Sequence, residues 1–392
     1  MHDSPMLACV FSERTRVERG PNQLMARAAL RRAEAKLLDL TVSNPTTVGL
    51  GSGTDLLAPL ALPAGLEYRP SPLGLWSARE SIAAYESVDG VSIAPEQVVL
   101  TASTSEAYCY LLTLLADPGD AILLPRPSYP LLEHLARFAG VEPRYYELSY
   151  DGAWHVDLDS LVRARTPRAR AIVAVCPNNP TGSLLSAQEL RAMAELGLPL
   201  VCDEVFRSYT LGEAQAPATR ELLCTDQGLL FSLGGLSKTL GLPQLKLSWM
   251  VVDGSPTARS EALERLEILA DAYLNVSTPI QIALPELLRR GQPRQLELRE
   301  RIRANYAALR RATEHSAVTP LHLQGGWTAV LRFPRTRPED EWTMLLLEQD
   351  SVLVYPGWFF DFSEEPLVVV SLIVEPQEFV AAIERIRQRV DG

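Results

Sequence analysis

Lysine is nearly absent from this sequence. Of its 37 basic residues, 34 are arginines and only three, Lys36, Lys238 and Lys246, are lysines. Arginine keeps its proton at physiological pH, whereas a lysine amine can lose its proton and attack a carbonyl carbon. Lys238 is the candidate nucleophile, because it lies in a short polar turn directly after the apolar run Leu229–Leu233. The alternative is an ordinary surface lysine in a loop.

The sequence also lacks the features that mark several other classes of protein. With a formal net charge of −11 and no long basic run, it offers no basic face to a nucleic acid. No apolar run approaches the length of a membrane span, and the patch Met6–Phe11 is too short for a signal peptide. The five cysteines form no Cys-x-x-Cys pair, which favours reduced thiols over a disulfide framework; they are Cys9, Cys109, Cys176, Cys202 and Cys224. We therefore expect a soluble cytoplasmic protein that binds neither nucleic acid nor membrane.

Short apolar runs alternate with helical patterns from about residue 77. Seven of them are predicted strands, at 97–101, 121–125, 144–148, 171–176, 198–202, 229–233 and 247–252. This rhythm predicts a mostly parallel sheet with helices on both faces and ligands at the carboxyl ends of its strands. A long amphipathic helix or helix pair at 284–314 follows. Strands at 326–333, 352–355 and 367–374 and a helix at 377–390 then predict a smaller α+β domain.

Polar motifs follow several of the predicted strands. The stretch Thr101–Glu106 suits an anion at a helix N-terminus, or it simply caps the helix. Tyr129, in a proline-rich turn, is placed to stack on a flat ligand or to pack. Asn179 and Asp203 follow later strands, where the alternatives are a turn-shaping amide and a helix cap or surface salt bridge. Together with Lys238, these signals predict one site at one edge of the sheet.

In this order the motifs resemble those of the pyridoxal-phosphate-dependent aminotransferases of class I and II, whose fold is called fold type I. The resemblance covers nearly the whole chain. Its motifs are Tyr68 ahead of Gly74 and Arg79, Ser103–Ser105, Pro127–Pro130, Asn179–Gly182, Asp203–Val205, Ser237–Lys238 and Pro356–Gly357. It implies an α/β fold with a mostly parallel seven-stranded sheet flanked by helices, plus a smaller α+β domain. We expect a large cofactor-binding domain at 46–285, a small domain at 286–392, and an N-terminal segment, 1–45, that joins the small domain.

The resemblance also implies a role for each motif residue. Lys238 would form a Schiff base with pyridoxal 5'-phosphate and then act as general acid and base. Asp203 would pair with the pyridine nitrogen, Asn179 would bind the ring hydroxyl, and Tyr129 would stack on the ring. The other expected cofactor contacts are Ser103, Thr104, Ser105, Phe206, Ser237, Lys246 and Tyr68. Tyr68 would reach the phosphate of a neighbouring subunit, which implies a homodimer with active sites at the interface. Substrate contacts are expected from Asn44, Trp327 and Arg332, and no metal is expected.

Four positions depart from the family pattern. Lys246 stands where an arginine usually binds the phosphate, and it lacks the two-pronged guanidinium. Gly235 replaces a frequent phosphate-binding serine, and Phe206 replaces a tyrosine that donates to the ring oxygen. Val369 stands where the family carries the arginine that grips the substrate carboxylate. Either the substrate has no carboxylate there, or another group holds it, with these candidates: Arg69, Arg126, Arg207 and Arg332.

The resemblance predicts an aminotransferase that moves an amino group between a small-molecule amino donor and a 2-oxo acid or other carbonyl acceptor. A pyridoxal-phosphate-dependent lyase or decarboxylase on the same fold is the alternative, and the missing arginine at position 369 keeps it open. A cofactor-binding regulatory module is a third interpretation. It needs a basic helix-turn-helix region, which the acidic charge balance disfavours.

Overall fold

The structure is a computed structural model, and it describes residues 10–16, 23–51, 54–87, 91–212, 228–363 and 366–392. Cys9, Cys224 and most of the apolar patch Met6–Phe11 lie outside the described residues, as does part of the predicted N-terminal segment. The other cysteines, Cys109, Cys176 and Cys202, are free thiols. Across the described ranges, none of the helices combines the length and the apolar character that a membrane span requires.

The described strands form two main sheets and one two-stranded pair. They are β1 (Leu38–Asp39), β2 (Val98–Thr101), β3 (Ala121–Arg126), β4 (Glu142–Tyr150), β5 (Trp154–Val156), β6 (Ala169–Val175), β7 (Leu200–Asp203), β8 (Leu229–Gly235), β9 (Ser248–Gly254), β10 (Thr319–Pro320), β11 (Thr328–Arg332), β12 (Val352–Leu353), β13 (Tyr355–Pro356) and β14 (Leu367–Ser371). The large sheet has the order β2-β9-β8-β7-β6-β3-β4-β5. Strands β8, β7, β6, β3 and β4 run parallel, and β9 is antiparallel to both of its neighbours. All seven predicted strands are present, and β5 is a short eighth strand, antiparallel to β4.

Helices cover both faces of the large sheet. The α-helices among the described residues are α1 (Gln23–Glu34), α2 (Trp76–Glu86), α3 (Thr104–Leu115), α4 (Leu131–Ala139), α5 (Leu158–Ala164), α6 (Ala187–Glu195), α7 (Leu236–Thr239), α8 (Pro256–Tyr273), α9 (Thr278–Ala312), α10 (Glu339–Asp350) and α11 (Pro376–Asp391). Apolar residues of α3, α4 and α8 pack on one face, and those of α5 and α6 pack on the other. Because both faces are covered, the central strands need apolar side chains at every position, which is why they form continuous apolar runs in the sequence.

The smaller sheet is antiparallel. Its order is β10-β11-β14-β13, and the short strand β1 pairs separately with β12 in parallel. Helices α10 and α11 pack on this part of the molecule, and their apolar residues share a core with β11 and β14. The predicted small α+β arrangement is therefore present.

Helix α9 links the two parts of the molecule. Its 35 residues span about 52 Å. Ile280 and Leu284, near its start, are buried with α2 in a large-domain core, whereas Leu298 and Ile302 belong to the small-domain core. The sequence predicts a helix or helix pair at 284–314, and the structure has one helix that begins at Thr278.

The parallel strands place their carboxyl ends along one edge of the large sheet. Strands β2, β3, β6, β7 and β8 all end there, directly before the polar motifs of the sequence. Strand β9 separates β2 from β8 and aligns Thr101 and Gly235 on either side of Ser248. The fold therefore gathers the motifs at the edge where open α/β sheets bind ligands.

Candidate active site

Lys238 lies in α7, a single helical turn that follows β8. The hydroxyl of Tyr209 donates to the carbonyl oxygen of Lys238 at 2.7 Å and fixes this turn. The Lys238 Nζ lies 4.8 Å from the ring centre of Trp327 and 5.5 Å from that of Phe206. Burial lowers the pKa of Lys238 to about 8, and the Asp203 carboxylate acts in the opposite direction. A useful fraction of the amine is therefore unprotonated near neutral pH, as a nucleophile requires.

Asp203 ends β7 and is buried beside Lys238. Its Oδ1 accepts a hydrogen bond from the backbone N–H of Val205 at 3.2 Å, and its Oδ2 accepts one from the hydroxyl of Tyr108 at 3.0 Å. Burial raises the pKa of Asp203 to about 6, although both hydrogen bonds and Lys238 oppose this rise. The carboxylate is therefore held in a fixed orientation in a site of low polarity.

Sequence reasoning missed Tyr108 and Tyr209. Tyr108 lies on α3, three residues beyond Ser105, so the helical period places both on one face. That period is the signal that could have identified it. Tyr209 lies in the 3₁₀ helix Arg207–Tyr209, and the sequence offers no comparable signal for its bond to Lys238.

Several buried polar atoms near this edge have no hydrogen-bond partner among the described residues. They are Ser128 Oγ, Asn178 Nδ2, Asn179 Oδ1 and Trp327 Nε1. Because buried polar atoms in folded proteins are nearly always hydrogen-bonded, such a group indicates a place for a polar ligand. A carboxylate, an unsatisfied amide and an amine with a lowered pKa at one edge fit a flat ring that carries a basic nitrogen, a hydroxyl and an aldehyde. Pyridoxal 5'-phosphate has all three groups.

The start of α3 lies at the same edge. Ser103 caps the helix, because its Oγ accepts from the backbone N–H of Glu106 at 3.1 Å. The Glu106 carboxylate accepts from the N–H of Ala102 at 2.6 Å. The structure therefore confirms that this motif caps the N-terminus of α3. Because a helix start has four N–H groups without an intrahelical partner, the cap still leaves donors at Thr104 and Ser105 for an anion.

Lys246 and Gly235 lie around the same helix start. Lys246 is exposed, and with Ala102 and Glu106 it lines a cleft of about 480 Å³. A Cβ atom at Gly235 would lie 2.4 Å from the Ser248 Oγ on β9. The glycine therefore makes room for Ser248, and a serine at position 235 requires Ser248 to move.

Other predicted contacts occupy more exposed positions. Tyr68 is 68% exposed on the outside of the chain, and Tyr129 is 46% exposed after β3. The Oδ1 of Asn44 accepts from the backbone N–H of Thr46 at 3.0 Å and from its hydroxyl at 2.7 Å. The Asn44 side chain therefore shapes its own turn. Ser237 precedes Lys238 in α7 and is partly buried.

Two of the candidate carboxylate-binding arginines are ion-paired. Arg207 is partly buried and lies 2.7 Å from the buried Glu86 carboxylate and 3.7 Å from the buried carboxylate of Glu204. Arg69 is exposed and pairs with Glu67 at 2.6 Å. The pairs of Arg207 indicate a structural role for this arginine, and Arg69 belongs to an ion pair on the protein surface.

The other two arginines lie over aromatic rings. The guanidinium of Arg332 lies 5.5 Å from the ring centre of Tyr150, at the end of β11 that is farther from Trp327. About 16 Å of strand separate Arg332 from Trp327, so the structure does not bring Arg332 to Lys238. Arg126 ends β3 at the candidate site edge, 4.0 Å from the ring centre of Tyr145. Of these two arginines, Arg126 is the one at the candidate site edge.

Val369 lies in the middle of β14 and is fully buried. It is opposite Val330 on β11 and Tyr355 on β13. Its side chain belongs to an apolar cluster that also contains Phe360 and Leu367. The position therefore supplies an apolar surface and no charge.

Comparisons with known proteins agree with this geometry. The profile of the family described as "Aminotransferase class I and II" matches residues 66–386. Nicotianamine aminotransferase 1 of Oryza sativa subsp. japonica is 32% identical over 230 residues, which are 56% of this chain and 46% of that protein. The glutamate-pyruvate aminotransferase AlaA of Escherichia coli (strain K12) is 29% identical over 264 residues, 64% of each chain. The match with this chain thus spans about half of the rice protein and somewhat less than two thirds of the bacterial one.

Solved structures share the fold over almost the whole chain. Alanine aminotransferase from Pyrococcus furiosus superposes with a TM-score of 0.86 at 24% identity, covering 97% of this chain and 99% of that one. A double mutant of Thermus thermophilus aspartate aminotransferase gives a TM-score of 0.83 at 22% identity, with coverages of 96% and 99%. These likenesses establish the fold, a large mostly parallel sheet with a smaller antiparallel domain.

Proposed function

We propose, because the chain belongs to the aminotransferase class I and II family, that it is a pyridoxal-phosphate-dependent aminotransferase. It would transfer an amino group between a small-molecule amino donor and a 2-oxo acid or other carbonyl acceptor. The observation that carries this proposal is the partly buried Lys238 amine, with a pKa of about 8, beside the buried Asp203 carboxylate. None of the relatives described above is a lyase or decarboxylase, so transamination is the activity that we propose.

Pyridoxal 5'-phosphate is the cofactor of this family; when bound, it supplies an aldehyde that accepts the amine and a ring that takes up electrons. We propose that Asp203 pairs with the ring nitrogen and that Asn179 binds the ring hydroxyl. Tyr129 packs on the ring, and Phe206 adds an apolar wall. The phosphate is held by the start of α3 and two further side chains, through these residues: Ser103, Thr104, Ser105, Ser237 and Lys246.

Lys238 has two roles in this proposal. Its amine would hold the cofactor aldehyde covalently, and after release it would take a proton from the donor carbon and deliver that proton to the cofactor. A base whose pKa of about 8 lies near the working pH can both accept and donate protons. Trp327 and Phe206 exclude water from one side of the amine and keep this pKa low.

Reductive trapping tests the role of Lys238 directly. Borohydride treatment of the protein loaded with pyridoxal phosphate fixes the cofactor to its lysine, and peptide mass spectrometry then locates it. Because the chain has only three lysines, the assignment is unambiguous. We expect the label on Lys238. A label on Lys36 or Lys246, or no cofactor binding at all, would overturn the proposal.

The fate of the cofactor tests the reaction. After a single turnover with an amino donor, transamination leaves the aminated cofactor, which a carbonyl acceptor then reverts. Elimination or decarboxylation regenerates the aldehyde without an acceptor. The visible absorbance of the bound cofactor distinguishes these outcomes.

The same assay tests how the substrate carboxylate is held, given that Val369 stands in place of an arginine. Each amino acid in the donor panel is paired with the amine that lacks its carboxylate. A preference for the amines would mean that the substrate has no carboxylate at this position, which explains why Val369 can replace the arginine. A preference for amino acids that is lost in Arg126→Gln, with amine turnover unchanged, would assign the carboxylate to Arg126.

We also propose a homodimer with active sites at the subunit interface. Two stretches of the chain expose large apolar side chains: Leu62, Leu66 and Tyr68 in one, and Tyr273 and Leu274 in the other. They are neighbours, because Gly65 packs against Pro279. Tyr273 and Leu274 also line the cleft beside Ala102 and Lys246. An apolar surface of this kind favours a protein partner, and the cleft leaves room for Tyr68 of the partner subunit.

We further propose a cytoplasmic location and the division into domains at residues 46 and 286. The free thiols Cys109, Cys176 and Cys202 support a reducing compartment. The acidic charge balance supports small molecules and a second copy of the chain as partners, in preference to a nucleic acid.

A further inference from the structure

Tyr108 contacts the candidate active site through a single hydrogen bond. Its hydroxyl donates to the Oδ2 of Asp203 at 3.0 Å, and only 5% of Tyr108 and 9% of Asp203 are exposed. We propose that Tyr108 is a positioning residue that orients the Asp203 carboxylate toward the ring nitrogen of the cofactor and favours its ionised form. This inference rests on the proposed function, because it requires the ring nitrogen to face Asp203.

The orientation of Asp203 is set from two separate elements. The backbone N–H of Val205 holds Oδ1 from the turn after β7, and Tyr108 holds Oδ2 from α3. The terminal torsion of an aspartate is otherwise broad, so one hydrogen bond leaves the carboxylate free to rotate. With both oxygens held, the plane of the carboxylate is fixed. Each oxygen keeps a further lone pair for a ligand.

The hydrogen bond also connects the two ends of the proposed cofactor site. Tyr108 lies on the same helix as Ser105, and the start of that helix is the proposed phosphate site. An α-helix has a fixed rise of about 1.5 Å per residue. The Tyr108–Asp203 contact therefore sets the separation between the phosphate site and the partner of the ring nitrogen.

The charge state of Asp203 depends on several buried neighbours. Its pKa is raised to about 6, chiefly by burial and also by Glu204, while the hydrogen bonds from Val205 and Tyr108 and the charge of Lys238 act in the opposite direction. Burial holds the pKa of Tyr108 well above its ordinary value, so its hydroxyl remains a hydrogen-bond donor. The neighbouring Cys202 thiol also stays protonated, because burial raises its pKa well above the ordinary value. Without the Tyr108 hydroxyl, Asp203 would keep its proton to a higher pH.

The test compares two conservative variants in the same helix. Tyr108→Phe removes only the hydroxyl. Tyr110→Phe is the matched control, because Tyr110 is equally buried but packs against Tyr273. The cofactor-free proteins are titrated at pH 7 with pyridoxal phosphate and with an analogue in which a C–H group replaces the ring nitrogen.

We expect Tyr108→Phe to weaken the binding of pyridoxal phosphate about tenfold, the size of one hydrogen bond to a charged group. The analogue should bind the wild type and Tyr108→Phe equally, since it has no ring nitrogen. Tyr110→Phe should stay within about twofold for both ligands. In an Asp203→Asn background, Tyr108→Phe should have no further effect, because the hydroxyl acts through the carboxylate.

The outcomes separate this inference from the proposed function. If the wild type does not bind pyridoxal phosphate, both fail. If the wild type binds and Tyr108→Phe behaves like Tyr110→Phe, or loses both ligands equally, only the positioning role fails. Thermal unfolding checks that the variants fold. Should Tyr108→Phe not fold, Tyr108→Gln keeps a donor at this position and should retain selectivity for the ring nitrogen; equal loss of both ligands there would overturn the inference.

Discussion

At the scale of single residues, the desolvated Lys238 amine lowers the stability of the folded protein. The unfolded chain has a lysine pKa of 10.5, whereas the folded protein has one of about 8. The unfolded state therefore binds more protons between these values, and stability rises with pH across that range. We predict that Lys238→Met stabilises the cofactor-free protein by about 2–3 kcal/mol at pH 7, and by roughly half as much at pH 9.5.

Urea denaturation of the cofactor-free proteins at both pH values measures this effect. Lys36→Met is the matched control, because Lys36 is 75% exposed and pairs with Glu378 on the surface. It should change the unfolding free energy by no more than about 0.5 kcal/mol. An equal gain from Lys238→Met at both pH values would contradict the electrostatic origin and indicate better packing of methionine.

In the proposed cofactor site, Phe206 offers no hydrogen-bond donor to the ring hydroxyl. Its ring packs edge-on against Trp327, with centres 5.4 Å apart, and lies 5.5 Å from the Lys238 amine. We predict that Phe206→Tyr lowers the midpoint of the pH titration of the visible absorbance by about one pH unit, because a second donor stabilises the ionised ring oxygen. Phe206→Leu adds no donor and should keep the wild-type midpoint. An unchanged midpoint in Phe206→Tyr would refute the prediction.

The sequence predicts residues at strand ends better than the contacts between them. Lys238 and Asp203 stand out because each polar side chain follows an apolar run. The hydrogen bond between Tyr108 and Asp203 joins residues 95 positions apart, and no local pattern encodes it. Arg207 was a candidate for the substrate carboxylate, yet in the structure it pairs with Glu86, which is distant in the sequence. Such pairs follow from the topology of the sheet.

At the scale of elements, buried ion pairs hold the turn after β7. Arg207 bridges Glu86 at the end of α2 and Glu204 in the turn that carries Phe206. Removing one partner of a buried pair leaves a charge without compensation. We predict that Arg207→Ala lowers the unfolding free energy of the cofactor-free protein by about 3–5 kcal/mol.

Arg69→Ala is the control for this prediction, since Arg69 pairs with Glu67 on the surface. It should cost less than about 1 kcal/mol. Urea denaturation measures both variants. If Arg207→Ala keeps full stability and instead raises the KM for amino acids alone, Arg207 holds the substrate and the structural role is refuted.

The sequence predicts the helices and strands whose apolar residues form a long, regular pattern, and it does not reveal those whose pattern is short or interrupted. The central strands, such as β6, β7 and β8, appear in the sequence because burial on both faces requires nearly unbroken apolar runs. Strand β5 has only three residues, and its central His155 is partly exposed, so its pattern is too short to identify. The start of α9 was predicted six residues late. Pro279 and Pro285 interrupt the helical pattern there, although proline is well tolerated in the first turn of a helix.

At the scale of the whole molecule, the single helix α9 contributes buried residues to the cores of both domains. The boundary at residue 286 stays a prediction, and it falls inside this helix. A helix that is buried in both cores limits relative motion to bending along its length. The sequence indicates two domains through the change in strand pattern, but the shared helix becomes visible only in the structure.

The proposed dimer rests on exposed apolar side chains near the start of α9. Leu66 is 91% exposed and Leu274 is 68% exposed, and burying them against a second copy would remove this surface from water. We predict that the wild type is a dimer and that Leu66→Glu weakens it at least 100-fold, because a charge in an apolar interface loses its hydration. Pyridoxal phosphate should bind Leu66→Glu more weakly, since Tyr68 of the partner subunit is lost.

Val162→Glu is the control for this prediction. Val162 is 58% exposed on α5, a helix that packs beside β4 near the opposite end of the large sheet. Sedimentation equilibrium over a range of concentrations gives the dimer dissociation constant, and titration of the cofactor-free protein gives the affinity for pyridoxal phosphate. Val162→Glu should match the wild type in both. A monomeric wild type with full cofactor affinity would contradict the shared site, and a Leu66→Glu variant that dimerises normally would place the interface elsewhere.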